Sequence, residues 1–516
     1  MSKLRARIQW AGLFLGPLLA LAVYALLPGE YPDAEGKTVV FEQAGRVVLG
    51  GMIWMAIWWL TEAVEVTTTA LLPLVLFPLA GAATMKEAAA PYANHLIFLF
   101  MGGFIIALSM QRWGLDRRIA LATLRLVGTR PANMVGGFML ATAGLSAFIS
   151  NTATTAMMLP IAISVVALLK QNSGDGAEAG ESKAGSGFGV CLMLGIAYAA
   201  TLGGLCTLIG TPPNVFFRGF IEDGISDAYQ MEIGFYSWLK LGLPVTLTML
   251  PLTWLLLTRW LFPIERKRIP GAAVLIHTEW AKLGSMNRGE RITLFVFLLT
   301  AMCWILRGWL SGIAIPWGEG EVHPFAGLSD PGIAMTAALL LFVLPVSVPK
   351  REFTMNWKTA KKLPWEILVL FGGGMSLAAG VKLTGVAEFL GSQAGNFAGM
   401  PPFVIILVVA ASVILLTELT SNLATTATLL PVLAALAPGL GLHPYLLIFP
   451  ATIAASCAFM MPVATPPNAI VFGSGEIALP QMMKAGVWLN LLGLIVIMVV
   501  SWFRLESAIG VKLFGE

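Results

Sequence analysis

Apolar runs close to twenty residues long recur along this chain, separated by short polar connections. A helix needs about 20 such residues to cross a bilayer. The pattern predicts eleven spanning helices, near residues 8–27, 44–61, 65–81, 96–111, 190–221, 237–263, 290–310, 331–348, 365–381, 445–473 and 483–503. Two further apolar segments, 132–169 and 402–437, break the rule by carrying polar clusters at their centres. The first contains SNTATTAMMLP at 150–160 and the second SNLATTATLLP at 421–431, with eight of eleven positions identical. Polar residues at membrane depth require a reason.

Composition agrees with the pattern. Of 516 residues, 57% are hydrophobic and 12% charged, with a mean hydropathy of +0.81; soluble chains carry about 25% charged residues. The expected class is an all-α polytopic membrane protein. The placement of charge sets its topology. Arg112, Arg117, Arg118, Arg125 and Arg130 lie in 111–130, Arg266, Lys267, Arg268, Lys282, Arg288 and Arg291 in 264–291, and Lys350, Arg351, Lys358, Lys361 and Lys362 in 349–364. Connections 222–236 and 311–330 hold no Lys or Arg. The positive-inside rule then puts the three basic segments in the cytoplasm of a multi-pass plasma (inner) membrane protein. Lys3, Arg5 and Arg7 precede an apolar run reaching Leu27, which reads as an uncleaved first helix with a cytoplasmic N-terminus. Residues 170–187 are rich in Gly, Ser and Ala and read as a flexible loop.

Composition also excludes several classes. No basic tail, zinc-ligand spacing or aromatic-basic alternation points to nucleic acid. Cys191, Cys206, Cys303 and Cys457 sit in apolar segments without paired spacing and read as buried small hydrophobes. His95, His277, His323 and His443 fall near loops. No HExxH, GxSxG or Ser–His pairing marks an enzyme.

The duplicated motif belongs to a larger repeat. LFMGGFIIAL at 99–108 aligns with LFGGGMSLAA at 370–379 at the same 271-residue offset as the Ser-Asn motifs, and IGTPPNVFF at 209–217 is echoed by VATPPNAIVF at 463–472. Each half therefore runs Gly-rich span, Ser-Asn segment, span with TPPN. The topology inverts one half against the other. Inverted repeats with interrupted helices are the architecture of secondary transporters, whose sites lie near the bilayer midplane. A channel needs a continuous pore instead.

The motifs carry chemistry suited to ions. Segment 132–169 divides into two arms of about 18 residues, joined near Ile149–Asn151. Gly136, Gly137, Ala141, Ala143, Gly144 and Ala147 allow close packing against protein, which favours a re-entrant hairpin over two full crossings, since a polar turn is tolerated only where protein or a cavity surrounds it. At the turn, the second arm begins with free N–H groups that suit a carboxylate, and the first ends with free carbonyls that suit a cation. Asn151 and Thr152 would face the anion; Ser146, Ser150 and Asn151 would offer oxygens to a cation, with Ser146 and Ser150 one turn apart on a shared face. Simple capping by Ser and Asn is the alternative reading. In TPPN, Pro212 and Pro213 leave the carbonyls of Leu208 and Ile209 without helical partners, and Thr211 is driven from helical angles. Thr465, Pro466, Pro467 and Asn468 repeat this. Hydroxyl and carbonyl oxygens form a hard-ligand set matched to Na⁺. Glu418 is an acid in an apolar segment that either serves function or bonds a nearby helix end, and Glu62 and Glu65 fall where a short loop would join the second and third spans.

SNTATT and SNLATT, each followed by TPPN, resemble the divalent anion/sodium symporter family, as do WLTEAVEVTTTALLPLVLFPL at 59–79 and MPVATPPNAIVFGSG at 461–475. The resemblance covers nearly the whole chain. It implies a homodimer, and two or more Na⁺ per protomer coupled to di- or tricarboxylate or sulfate transport. It also implies a scaffold domain and an elevator-like transport domain with two re-entrant hairpins. On that division, 1–130 and 264–401 hold scaffold helices, and 131–263 and 402–516 hold the transport-domain parts of each repeat. Carried over by position, one Na⁺ site comprises Ser146, Ser150, Asn151 and Gly210, and the other Thr417, Thr420, Asn422 and Ala464. The anion contacts Asn151, Thr152, Thr211, Ser421, Asn422, Thr465 and Pro466. Family members that move dicarboxylates commonly carry Ser-Asn-Thr twice; here Leu423 replaces the second threonine and makes the pocket more apolar. The resulting expectation is Na⁺-coupled symport of C4-dicarboxylates (succinate, malate, fumarate), with dicarboxylate exchange or tricarboxylate or sulfate symport as alternatives.

Overall fold

The computed structural model describes residues 3–32, 37–172, 187–264, 270–317, 320–395 and 399–513. Residues 173–186 of the expected flexible loop, and Arg266, Lys267 and Arg268, lie outside these. Helices make up most of the described residues, and the strands among them form three two-stranded pieces, such as Glu30–Pro32 with Thr38–Val40. Among the described residues, ten helices are long and apolar enough to cross a membrane, and four apolar helices are shorter.

Most predicted spans appear close to their expected limits, because their ends carry recognisable stops. Helix His95–Trp113 starts where the Asn94 side chain accepts from the N–H of Leu96 and ends at Gly114, whose φ of 74° only glycine adopts without strain. Helix Arg288–Ser311 opens with a reciprocal cap between Asn287 and Glu290. Two expected spans are cut short. The segment expected at 65–81 is two pieces, Val66–Thr69 and Leu72–Leu79, and the Tyr92 hydroxyl donates to the carbonyl of Ala70 between them. The segment expected at 331–348 is a helix only over Asp330–Val343; Pro345–Ser347 then pairs with Glu352–Phe353. Periodicity did not separate these, since a strand of three residues is too short to show an alternation. Glu62 ends helix Gln43–Thr61 in a left-handed conformation and Glu65 precedes Val66–Thr69, so both lie in a short loop, with Glu62 ion-paired to Arg5.

The charges sort to two ends of the bundle. Arg118 pairs with Glu290 at 2.8 Å and donates to the carbonyls of Leu283 and Gly284, Arg117 pairs with Glu279, and Arg112 lies 3.5 Å from Glu352. The three basic segments thus meet on one face. At the opposite end, Arg218, nearly fully buried, pairs with Asp330 at 2.6 Å and Glu222 at 2.8 Å. Arg307 also reaches Asp330, at 3.2 Å, and His95 reaches Glu222. That end carries the acidic connection 222–236.

Between these ends lie two helical hairpins and two interrupted helices. Pro131–Ser146 and Asn151–Asn172 form the first hairpin, and Pro402–Thr417 and Asn422–Gly439 the second. Gly187–Cys206 breaks off and resumes as Pro212–Gly219; Tyr445–Ala455 breaks off and resumes as Pro466–Phe472. The pieces interlock across the repeats. Pro466–Phe472 packs on the first hairpin and on Gly187–Cys206, while Pro212–Gly219 packs on the second hairpin and on Tyr445–Ala455.

Candidate functional site

The breaks form for the reason their prolines dictate. Thr211 is extended at φ −145°, ψ 144°, and Thr465 at φ −141°, ψ 150°, because a residue before proline is kept out of the helical region. Each unwound stretch would leave orphan carbonyls, and in both halves the TPPN asparagine gathers two of them. Asn214 Nδ2 donates to the carbonyls of Gly204 at 3.1 Å and Thr207 at 2.8 Å; Asn468 Nδ2 donates to those of Ala458 and Met461, both at 3.1 Å. Among the described residues, the amide oxygens of both asparagines are buried without a partner.

Each hairpin tip presents a cluster of oxygens beside its break. Ser146 Oγ lies 2.5 Å from Asn151 Oδ1 and 2.7 Å from the Ala200 carbonyl oxygen. A hydroxyl has one proton, so it satisfies one of the two acceptors and leaves an excess of oxygen lone pairs at the point where they meet. Thr417 repeats this, with Oγ1 2.8 Å from Asn422 Oδ1 and 2.6 Å from the Ala455 carbonyl. Gly210 lies beside the first cluster. A Cβ there would lie 2.5 Å from the Gly204 carbonyl oxygen and 3.0 Å from that of Ala147, so only glycine lets these backbones converge. Its counterpart in the second half, Ala464, already carries a methyl group.

All these ligand types are oxygens, and among the described residues no three His, Cys, Asp or Glu side chains gather to hold a metal. The donor set therefore suits a hard monovalent cation. The helices beginning at Asn151 and Asn422 aim their free N–H ends at the same tips, which is where an anion is best stabilised.

The expected site residues do not all share one environment. Ser146, Gly210, Thr211, Thr417, Thr420, Ala464 and Thr465 are buried, and Ser150, Asn151, Ser421 and Asn422 are half-buried at the tips. Thr152 and Pro466 are exposed. Ser150 does not share a helical face with Ser146, because the helix ends at Ser146 and the chain turns; Ser150 Oγ instead accepts a long bond of 3.5 Å from the N–H of Ala153. Leu423 is buried at 4% exposure, packed in the apolar core while Thr152 faces outward. The two positions align in sequence and differ in surroundings. A cavity of about 900 Å³ opens beside the second hairpin's return arm, and none of the expected site residues lines it.

Glu418 bonds no helix end; it bonds the unwound stretch between Tyr445–Ala455 and Pro466–Phe472. At 4% exposure, its carboxylate accepts the N–H groups of Phe459, Met460 and Met461 at 2.8–3.1 Å and Asn490 Nδ2 at 2.8 Å. It thereby fastens the second hairpin to the second break. In the first half the matching position is Ala147, whose carbonyl accepts from the Thr207 hydroxyl. Sequence offset pairs Glu418 with Ala147, but only coordinates name the acceptors and donors, as they do for Ala200 and Ala455.

Comparisons with known proteins place the chain as a whole. The family model described as the sodium:sulfate symporter transmembrane region matches residues 17–507. The chain is 40% identical over 511 residues to the sodium-dependent dicarboxylate transporter SdcS of Staphylococcus saprophyticus, covering 98% of this chain and 92% of that protein. The same transporter of Staphylococcus aureus is 39% identical over 507 residues, covering 98% and 93%. Two solved structures share the fold alone. The YdaH transporter of Alcanivorax borkumensis has a TM-score of 0.55 at 13% identity, covering 96% and 97% of the two chains, and MtrF of Neisseria gonorrhoeae has 0.59 at 10%, covering 97% and 98%. By these relatives and this family, the protein is a membrane transporter rather than an enzyme. The chain belongs to the sodium:sulfate symporter family.

Proposed function

We propose that this protein is a secondary active transporter that couples Na⁺ to the uptake of C4-dicarboxylates, with succinate, malate and fumarate as leading substrates. The carrying observation is the duplicated cluster of Ser146, Asn151 and Ala200 against Thr417, Asn422 and Ala455, each with one hydroxyl proton for two acceptor oxygens. One Na⁺ sits in each cluster, joined by Ser150 and Gly210 in the first half and by Thr420 and Ala464 in the second. No Arg or Lys lies at the tips to neutralise a dicarboxylate, so bound Na⁺ supplies that charge, and anion binding follows Na⁺ binding. Asn151, Thr152, Thr211, Ser421, Asn422, Thr465 and Pro466 hold the anion with the N–H ends of the helices. The SdcS relatives, named sodium-dependent dicarboxylate transporters, support this substrate class.

The hairpins are re-entrant in this reading. Their first arms, Pro131–Ser146 and Pro402–Thr417, have 16 residues each, which span about 24 Å against a hydrocarbon core of about 30 Å. The chain works as a homodimer in the plasma (inner) membrane with a cytoplasmic N-terminus, and 131–263 with 402–516 moves as a transport domain against scaffold helices in an elevator-type cycle. The test is uptake of labelled succinate into proteoliposomes with Na⁺ or choline outside. Concentrative uptake only with Na⁺ is expected. Uptake indifferent to Na⁺ but dependent on internal dicarboxylate overturns symport in favour of exchange.

A further inference from the structure

Two features of the membrane-facing surface meet at the end of helix Phe235–Leu255 nearest the basic segments. Past Leu255 the helix widens into a π-helical stretch, Leu256–Leu261, a rare geometry that frequently marks functional positions. It presents Arg259 and Trp260 side by side, both exposed. On one flank, Arg259 and Arg130 line a cavity of about 760 Å³ with Asn133 and Thr258, and among the described residues no acidic side chain lines it. Among the described residues neither guanidinium has an ion-pair or hydrogen-bond partner, in contrast to Arg112, Arg117 and Arg118 nearby. On the other flank, Leu252, Leu255, Leu256 and Trp260 face Trp488 and Trp502 across a groove of about 770 Å³ whose lining is wholly apolar.

We propose that this junction is a binding site for one anionic glycerophospholipid of the leaflet on the basic side. Its phosphate sits between Arg130 and Arg259, and an acyl chain lies along the groove past Trp260. The charge complementarity is specific: a guanidinium matches a phosphate with two parallel N–H bonds, and basic pockets between spanning helices are where anionic headgroups bind. The apolar groove by itself selects nothing, since lipid tails are as apolar as its walls. The site lies on a structural seam. Trp254 Nε1 donates to the Ala132 carbonyl at 2.7 Å, tying the entry of the first hairpin to this helix, so a lipid bridging Arg130 and Arg259 clamps the same two elements. The inference rests on the spanning arrangement and on the two cavities, and stands apart from the transport reading.

The test uses purified, delipidated protein titrated with phosphatidylglycerol, phosphatidylcholine or inorganic phosphate, with bound lipid counted by native mass spectrometry. One phosphatidylglycerol is expected to bind in clear preference to phosphatidylcholine. The double variant R130Q/R259Q is expected to weaken phosphatidylglycerol about thirtyfold, since each basic side chain at a membrane surface contributes a factor of about five, and to leave phosphatidylcholine unchanged. The variant R130K/R259K keeps the charge but loses the two-bond match, and is expected to weaken phosphatidylglycerol less than R130Q/R259Q does, which separates lost charge from lost fold. Equal binding of the two lipids to the wild-type chain, or unchanged phosphatidylglycerol binding in R130Q/R259Q, overturns the site. Inorganic phosphate competing as well as the lipid overturns its assignment to lipid.

Discussion

The two halves of the molecule close their helix breaks with the same clasp and join those breaks to their hairpins by different means. Asn214 and Asn468 each gather two backbone carbonyls of their own break. In the first half, however, Gly210 lets the Ala147 and Gly204 carbonyls crowd together, and residues 201–211 are buried without exception. In the second half Ala464 holds the equivalent place, Glu418 takes three backbone N–H groups of the break, and Val463 is 60% exposed. One tip is a tight cluster of carbonyls. The other is looser and anchored by a carboxylate. Duplication preserves the oxygen cluster, then, and leaves its support free to diverge.

The difference gives its largest expected effect at the glycine. Gly210→Ala forces a methyl group to within 2.5 Å of a backbone oxygen, and such overpacking costs up to about 3 kcal/mol, roughly a hundredfold in Na⁺ affinity. Ala464→Gly, which only removes a methyl, should change Na⁺-dependent uptake less than about threefold. Equal effects would erase the contrast between the tips. Next in size, Asn151→Ala and Asn422→Ala each remove an oxygen from a cluster and should raise the Na⁺ needed for half-maximal uptake by roughly tenfold. Intact Na⁺ dependence in either variant would remove that residue from the site.

Support for the breaks should separate the halves again, in thermal or denaturant unfolding. Glu418→Ala strips the acceptor from three buried N–H groups and Asn490, at a cost of about 3 kcal/mol or more. Thr207→Val removes one hydroxyl donor from the Ala147 carbonyl and should cost about 1 kcal/mol. A similar loss from both would mean that the carboxylate holds no more than the hydroxyl does. The smallest effects belong to the aligned pair at the tips. Thr152→Val should weaken succinate a few-fold by removing one hydroxyl bond of about 1 kcal/mol. Leu423→Thr places a hydroxyl in the core and should lower stability by about 1–2 kcal/mol with little change in the ranking of di- and tricarboxylates. A reversed ranking would bring Leu423 back to the anion.

Much of this was legible from residue order. The doubled Ser-Asn and TPPN motifs located both hairpins and both breaks, because proline and small polar residues act locally on the backbone. Ser146 and Asn151 are legible from the hairpin turn, Thr417 and Asn422 only from the family resemblance, and each of the four lies in an oxygen cluster. What sequence could not supply was contact between distant segments. Nothing at Ala200, Ala455 or Ala147 distinguishes its carbonyl from any other. Residue order leaves the partners of Glu418 open, because the N–H groups of Phe459, Met460 and Met461 come from a segment 41–43 residues away. The shared face expected of Ser146 and Ser150, and the like surroundings expected of Thr152 and Leu423, fail for a related reason. The helix ends at Ser146 before the turn at Ala147–Ile149, and positions that align across the repeat need not face alike.

The central claim is that each repeat contributes one Na⁺ and that the anion binds only with their charge. It is tested most directly by equilibrium binding of labelled succinate to purified protein across a series of Na⁺ concentrations. Below saturation, two coupled ions predict an apparent Kd that falls about a hundredfold for each tenfold rise in Na⁺, by linkage. A Kd for succinate that does not respond to Na⁺ would contradict the account.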